Sequence, residues 1–398
     1  MMDNGNTSQT PRKVCIATGT RADWGLLSPI AKALDSRPDT ILQVIATNMH
    51  LSERYGMTVN EIEADGITVS ARVDMDTHNA DSDISKVKGM AQCMAGCADA
   101  LERLAPDVMV ILGDRYEMLA VASAAAMMHI PVIHIAGGEI SEGAIDDSIR
   151  HAITKLSALH LTATEQYRRR VIQLGEEPRR VINTGAIGVY NIVHEKLMTQ
   201  QELEQSIGFE ITDPTLLVTY HPATLDETGS GLRCKAMLDA LDRFPQCRII
   251  MTYPNNDAGS QAIIDLITGY ADRHKDRVLL VKSLGRLRYL SALRCVRAVV
   301  GNSSSGIVEV PSMGIPTVDI GIRQRGRIAA KSVIHCGGST DEIYRAVSYA
   351  LSPFGQSLAA SASNPYYKPS TLQSITEAIA QTPLHTLRTK RFYDIDQA

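Results

Sequence analysis

Short runs of apolar residues alternate with amphipathic stretches along nearly the whole chain. Val14–Thr18, Leu42–Ala46, Val108–Leu112, Val132–Ile135, Leu159–Ala163 and Val181–Thr184 are each almost continuously hydrophobic. Such runs predict strands covered on both faces, as in parallel sheets joined by crossover helices. Leu26–Leu34, Met90–Leu104, Met118–Met128 and Ser148–Leu156 read as the helices between them. A second set of strands follows at Leu216–Thr219, Arg248–Thr252, Val278–Val281, Ala298–Val300 and Thr317–Ile320.

Between the sets, roughly over residues 185–213, the pattern loses its strands and turns polar and helical, which predicts a domain junction. The expected architecture is α/β, with two Rossmann-like doubly wound domains facing a cleft. The first covers residues 12–190 after a polar tail at 1–11, and the second covers 191–371. Residues 372–398 read as a final helix that crosses back to the first domain. Ligands of such sheets bind beyond the carboxyl ends of the strands.

Composition narrows the partners. The 398 residues carry a formal net charge of −4 and only four Phe and one Trp. Without a basic block or stacking platforms, neither nucleic acid nor an anionic membrane is an expected partner. The seven cysteines are scattered and contain no Cys-x-x-Cys pair, which fits reduced thiols in a cytoplasmic protein. Cys93 and Cys97 lie four apart in a helical stretch and read as packing residues. No stretch approaches 18 consecutive apolar residues, so no membrane span is expected.

The chemistry concentrates at the strand ends. After the apolar run Val296–Val300 comes Gly301-Asn302-Ser303-Ser304-Ser305-Gly306, then a helical pattern. A strand that stops at small residues and opens a helix leaves backbone N–H groups unpaired, and with the helix dipole these can hold a phosphate. An N-capped helix without a ligand reads the same way. Glu309, one turn on, could accept hydrogen bonds from sugar hydroxyls. The first strand ends in Gly19-Thr20-Arg21-Ala22-Asp23, where Arg21 could meet an anion or merely pair with a surface carboxylate. Neither Gly-x-Gly-x-x-Gly nor a Gly-Lys-Ser phosphate loop follows it, which argues against a nicotinamide dinucleotide.

Gly113-Asp114-Arg115 sets opposite charges at another strand end. The next strand ends in His134-Ile135-Ala136-Gly137-Gly138-Glu139, followed by Glu142, Asp146, Asp147, Arg150 and His151. Crowded carboxylates raise one another's proton affinity, which suits general acid–base work. Asp146 or Asp147 could equally cap a helix starting near Ser148. The carboxylates lack the regular spacing of a metal site. In the second half His221 follows a strand, Asn255 and Asn256 follow another, and Arg323, Arg325 and Arg327 add positive charge after a third. This division suggests a nucleoside diphosphate in the second domain and acid–base chemistry on an attached sugar in the first.

Seven stretches, in order, carry a resemblance: Gly19 to Asp23, Gly113 to Arg115, His134 to Glu139, Asp146 to His151, His221-Pro222, Tyr253 to Asn256, and Gly301 to Glu309. In these the chain resembles the hydrolysing UDP-N-acetylglucosamine 2-epimerases of sialic-acid-type biosynthesis. The resemblance implies two Rossmann-like domains of GT-B glycosyltransferase type, a UDP-sugar substrate, and a homo-oligomer, dimer or tetramer. It implies no metal or redox cofactor. The implied reaction removes the proton on sugar carbon 2 as UDP leaves carbon 1, then adds water to the glycal to release N-acetylmannosamine. Asp114, Asp146, Asp147, Arg150 and His221 become the expected catalytic set. Arg21, Arg115, Asn255, Ser303, Ser304, Glu309 and Arg323 become the expected UDP ligands.

One departure stands out. The family carries an acid–base glutamate at the position of Ala136, and the loop after Glu139 is one residue longer here. Either Glu139 or Glu142 takes over the role, or the sugar differs. The longer loop resembles the branch acting on N,N′-diacetylbacillosamine nucleotides, linked to UDP or GDP, which leads to legionaminic acid. A glycosyltransferase of the same fold, a non-hydrolysing epimerase and an inactive sugar-nucleotide sensor are the competing expectations.

Overall fold

Each predicted apolar run becomes a strand wherever helices can cover both of its faces. The computed structural model describes residues 10–53, 56–75, 83–140, 145–222, 229–254 and 260–395. Two units emerge: Met1–Asn191 with Lys368–Ala398, and Ile192–Tyr367. The first holds β1 (Arg12–Thr18), β2 (Thr40–Thr47), β3 (Ala71–Val73), β4 (Val108–Leu112), β5 (Val132–Ile135), β6 (Leu159–Thr162) and β7 (Val181–Asn183). The second holds β8 (Thr215–Thr219), β9 (Arg248–Thr252), β10 (Val278–Val281), β11 (Ala298–Gly301), β12 (Thr317–Ile320) and β13 (Val333–Cys336).

All pairings are parallel, in the orders β3-β2-β1-β4-β5-β6-β7 and β10-β9-β8-β11-β12-β13. In each sheet the strand order reverses once, between β1 and β4 and between β8 and β11. Neighbouring crossovers leave the sheet in opposite directions there, so the backbone parts into a crevice at the strands' carboxyl ends.

Alternation along the central strands feeds two layers in the first unit. Val14, Ile16, Val108 and Val110 join Leu27, Ile30 and Leu34, together with Ile375 and Ile379 from the C-terminal segment. Cys15, Ala17, Met109 and Ile111 join Cys93, Cys97 and Leu101 on the other side. Both helical cysteines are wholly buried there. Each fully buried aliphatic side chain contributes about 1.5–3 kcal/mol. The helix Thr371–Gln381 is tied to the same layer by Arg12, which donates to the carbonyls of Ile379 at 2.6 Å and Thr382 at 2.7 Å. Lys390 likewise donates to the carbonyls of Lys155 at 2.6 Å and Ser157 at 2.7 Å, just past the helix Ile145–Leu156.

The structure corrects several expectations. β3 and β13 were absent from the hydrophobic pattern, because both are edge strands with an exposed residue in the middle, Arg72 and His335. The helix read as starting near Ser148 begins at Ile145, so Asp146 and Asp147 sit inside its first turn instead of capping it. The helix after Ser303 is short, Ser304–Val308, and Glu309 terminates it. Among the described residues no helix is long and apolar enough to cross a membrane.

Candidate active site

In the first unit the site is built on the turn that ends β4. Gly113 leaves the strand with φ 76°, and a Cβ there would meet nothing, so only the left-handed backbone calls for glycine. Its carbonyl oxygen lies 2.8 Å from Nε2 of His134, which is wholly buried on β5. A carbonyl can only accept, so Nε2 carries the proton, and Nδ1 faces Thr154 Oγ1 at 3.2 Å, whose single proton is shared with the Arg150 carbonyl at 3.0 Å. Burial holds this imidazole down at about 3, so it stays neutral near physiological pH.

Arg150 gathers the acidic residues. It lies one turn into the helix Ile145–Leu156 and is only 3% exposed. Its guanidinium donates to Asp114, to Asp147 Oδ1 at 3.2 Å and to the Glu139 carbonyl at 2.8 Å. One cation thus fixes the β4 turn, the β5 loop and the helix start together. His151 Nε2 lies 3.5 Å from Asp147 Oδ2. Burial, reinforced by the charge of Asp114, pushes the Asp146 carboxyl above its ordinary range. A carboxylate of raised basicity is a better acceptor for a carbon-bound proton.

At the reversal point between β1 and β4, Arg115 donates through Nε to Glu117 Oε1 at 2.5 Å. Glu117 is wholly buried, and Asp23 lies close enough that both groups act on its carboxyl. Burial raises Asp23 to about 6, with Arg115 opposing and Glu117 assisting. Arg21 stands apart: it is exposed and pairs with Glu61 at 3.2 Å.

In the second unit the reversal point falls between β8 and β11. Gly301 has φ 142°, and a Cβ there would overlap the Thr219 carbonyl oxygen. The next residue, Asn302, is buried and spans to the end of β8. Its Oδ1 accepts from the His221 amide at 2.7 Å and its Nδ2 donates to the His221 carbonyl at 2.8 Å. The Asn302 carbonyl in turn accepts from Arg323 Nη1 at 3.1 Å and Gln324 Nε2 at 2.8 Å. Ser303 caps the short helix without a side-chain cap bond, and Ser304 is exposed. Glu309 accepts from Ser305 Oγ, which also receives Tyr289 at 2.8 Å. Burial raises the Glu309 carboxyl, with Ser305 opposing.

The expected residues therefore assemble in two groups, one in each unit: Asp114, Glu139, Asp147 and Arg150, with Asp146 and Arg115 in electrostatic reach, and His221 with Arg323 through Asn302. Glu142 and Asn255 lie outside the described residues. Glu117, His134 and Asn302 carried no expected role. Their signal was present, since each sits beside a polar strand end. Ala136 adopts φ 67°, an uncommon conformation for a residue with a Cβ, and its amide donates to the Leu161 carbonyl at 2.9 Å. Among the described residues no three His, Cys, Asp or Glu side chains converge as a metal site requires.

Two doubly wound parallel sheets, each with polar groups at its reversal point, define an enzyme fold of two Rossmann-like units of GT-B type. A solved UDP-N-acetylglucosamine 2-epimerase from Neisseria meningitidis, bound to UDP-GlcNAc, shares it: TM-score 0.72, 20% identity, over 93% of this chain and 100% of that one. The family model described as UDP-N-acetylglucosamine 2-epimerase matches residues 32–380, and the chain belongs to that family. It is an enzyme of the nucleotide-sugar 2-epimerase class. The chain is 39% identical to the GDP/UDP-N,N′-diacetylbacillosamine 2-epimerase (hydrolyzing) of Campylobacter jejuni, over 81% of this chain and 84% of that protein. It is 36% identical to the UDP-N,N′-diacetylbacillosamine 2-epimerase (hydrolyzing) of Legionella pneumophila, over 85% and 89%.

Proposed function

We propose that this protein is a hydrolysing 2-epimerase of a UDP-linked 2-acetamido sugar, with a 2,4-diacetamido sugar as its preferred substrate. Asp146 takes the proton from carbon 2 while the C1–O bond to UDP breaks, the electron pair of the C–H bond forming the glycal double bond. Asp114 and Asp147, held by Arg150, flank that step, and one of them returns a proton when water adds at carbon 1. Backbone amides at Ser303 and Ser304, with His221 and Arg323, stabilise the departing diphosphate, without which elimination is too slow.

The observation that carries this reading is the Arg150 bridge between Asp114 and Asp147, near Asp146, whose carboxyl burial holds above its ordinary range. The 2,4-diacetamido substrate is supported by the two relatives named for it and by Ala136, which offers no carboxylate. UDP-N-acetylglucosamine is the second reading, favoured by the description of the matching family.

The test is incubation with UDP-N-acetylglucosamine, UDP-N,N′-diacetylbacillosamine and its GDP counterpart in deuterated water, followed by mass spectrometry. Free UDP and a released sugar carrying one deuterium at carbon 2 are expected, fastest with the diacetylated substrate. Return of an intact nucleotide sugar would mark a non-hydrolysing epimerase. Substrate left unchanged until an acceptor is added would mark a transferase.

A further inference from the structure

Glu117 is a buried carboxylate of the first unit to which the proposed reaction gives no part. It lies in the first turn of the helix Tyr116–Met127 and has no exposed surface. Desolvating a carboxylate costs several kcal/mol unless partners offset it. Its Oε1 takes Arg115 Nε at 2.5 Å, while Oε2 is buried and without a hydrogen-bond partner among the described residues. The fold also clears space for it: a Cβ on Gly19, where β1 ends, would overlap the carboxylate. Gly19 has no left-handed backbone to explain the glycine.

The arrangement has a consequence for Arg115. Its side chain is 36% exposed, and among the described residues only Nε is hydrogen-bonded. The terminal nitrogens, which form the bidentate fork that suits phosphate oxygens, have no hydrogen-bond partner among those residues. An unanchored arginine would give up rotamer freedom on binding. Asp23 adds a second buried carboxylate oxygen without a partner beside the same guanidinium.

We propose that Glu117 is a positioning residue that holds Arg115 by its Nε, so that both terminal nitrogens are presented to the diphosphate of the nucleotide sugar, in the slot left by Gly19. The inference rests on the proposed UDP-sugar substrate and on the expectation, from the family resemblance, that Arg115 is one of its UDP ligands. UDP affinity, measured by calorimetry on wild-type protein and on Arg115→Met, Glu117→Ala, Glu117→Gln, Gly19→Ala and the double variant E117A/R115M, tests both. Arg115→Met should weaken UDP at least tenfold and Glu117→Ala about fivefold. Glu117→Gln, which keeps an oxygen for Nε, should return to within about threefold of wild type. Gly19→Ala, which displaces the carboxylate without removing it, should resemble Glu117→Ala and serves if that variant does not fold. The double variant should bind no more weakly than Arg115→Met alone.

Unchanged UDP binding in Arg115→Met would overturn the assignment of Arg115, and the inference with it. A tenfold loss in Arg115→Met with wild-type binding in Glu117→Ala and Gly19→Ala would overturn the inference alone. So would additive losses in the double variant, because Glu117 would then act independently of Arg115.

Discussion

Asn302 grips the backbone of His221 from both sides of the residue, accepting from its amide at 2.7 Å and donating to its carbonyl at 2.8 Å. A chain is normally free to fray past a strand end, and here one buried amide side chain bonds the backbone just beyond β8, where the pairing with β9 and β11 has stopped. Removing both bonds leaves two backbone groups unsatisfied. Asn302→Ala should therefore destabilise the protein by about 1–3 kcal/mol, at ~0.5–1.5 kcal/mol per bond. Asn302→Asp sets a charged oxygen against the His221 carbonyl and should be at least as damaging. An unshifted urea midpoint in both variants would show that the clamp carries no stability.

Two glycines separate close packing from backbone conformation. At Gly301 a methyl group overlaps the Thr219 carbonyl, so Gly301→Ala must part β8 from β11 and should give insoluble protein. At Gly113 nothing stands within contact distance, and Gly113→Ala incurs only the left-handed backbone, about 1–2 kcal/mol. Soluble yield and thermal midpoint distinguish the two. Equal behaviour would contradict the packing at β11.

Turnover and nucleotide binding should separate between Asp114 and the Ser303–Ser304 pair. Asp114→Asn removes a partner of Arg150 and should abolish turnover while UDP affinity stays near wild type. A tenfold loss of UDP affinity would make Asp114 a binding residue instead. The pair Ser303→Ala and Ser304→Ala should weaken UDP by roughly 1–3 kcal/mol if both hydroxyls bond the charged diphosphate. Wild-type affinity would restrict any contact there to the backbone.

Acid should destabilise this fold through His134. Its folded value is about 3 against an ordinary 6.5, so between those limits the unfolded chain binds a proton that the native chain refuses. Stability must then fall as pH falls, by at most about 1.4 kcal/mol per pH unit for one proton. Glu176 acts in the same direction at lower pH. Despite burial, its bonds from His160, Lys155 and Lys390 hold it at about 2, so its contribution disappears between about 4.5 and 2. Asp23, raised to about 6, opposes the trend between about 3.8 and 6. Thermal midpoints from pH 7.5 to 5 should drop less steeply in His134→Gln than in wild type. Parallel curves would remove His134 as the source.

The amino-acid sequence by itself determined the α/β alternation, eleven of the strands and the strand ends that carry polar groups, because continuous apolar runs can be satisfied only in doubly covered parallel sheets. It also placed Asp114, Asp147 and Arg150 in one chemical neighbourhood. Strands β3 and β13 leave no continuous apolar run because each carries an exposed polar residue, Arg72 or His335, whereas the other edge strands, β7 and β10, do not. The role of Glu117 was hidden for a different reason. A buried carboxylate is decided by what surrounds it, and Gly19, Asp23 and Arg115 meet it only once β1 and β4 lie side by side. The same holds for Asn302 and His221, 81 residues apart in the chain and joined by two hydrogen bonds. Periodicity reports which face of an element is dry, whereas partners across a reversal point are chosen by strand order, which tertiary packing alone decides.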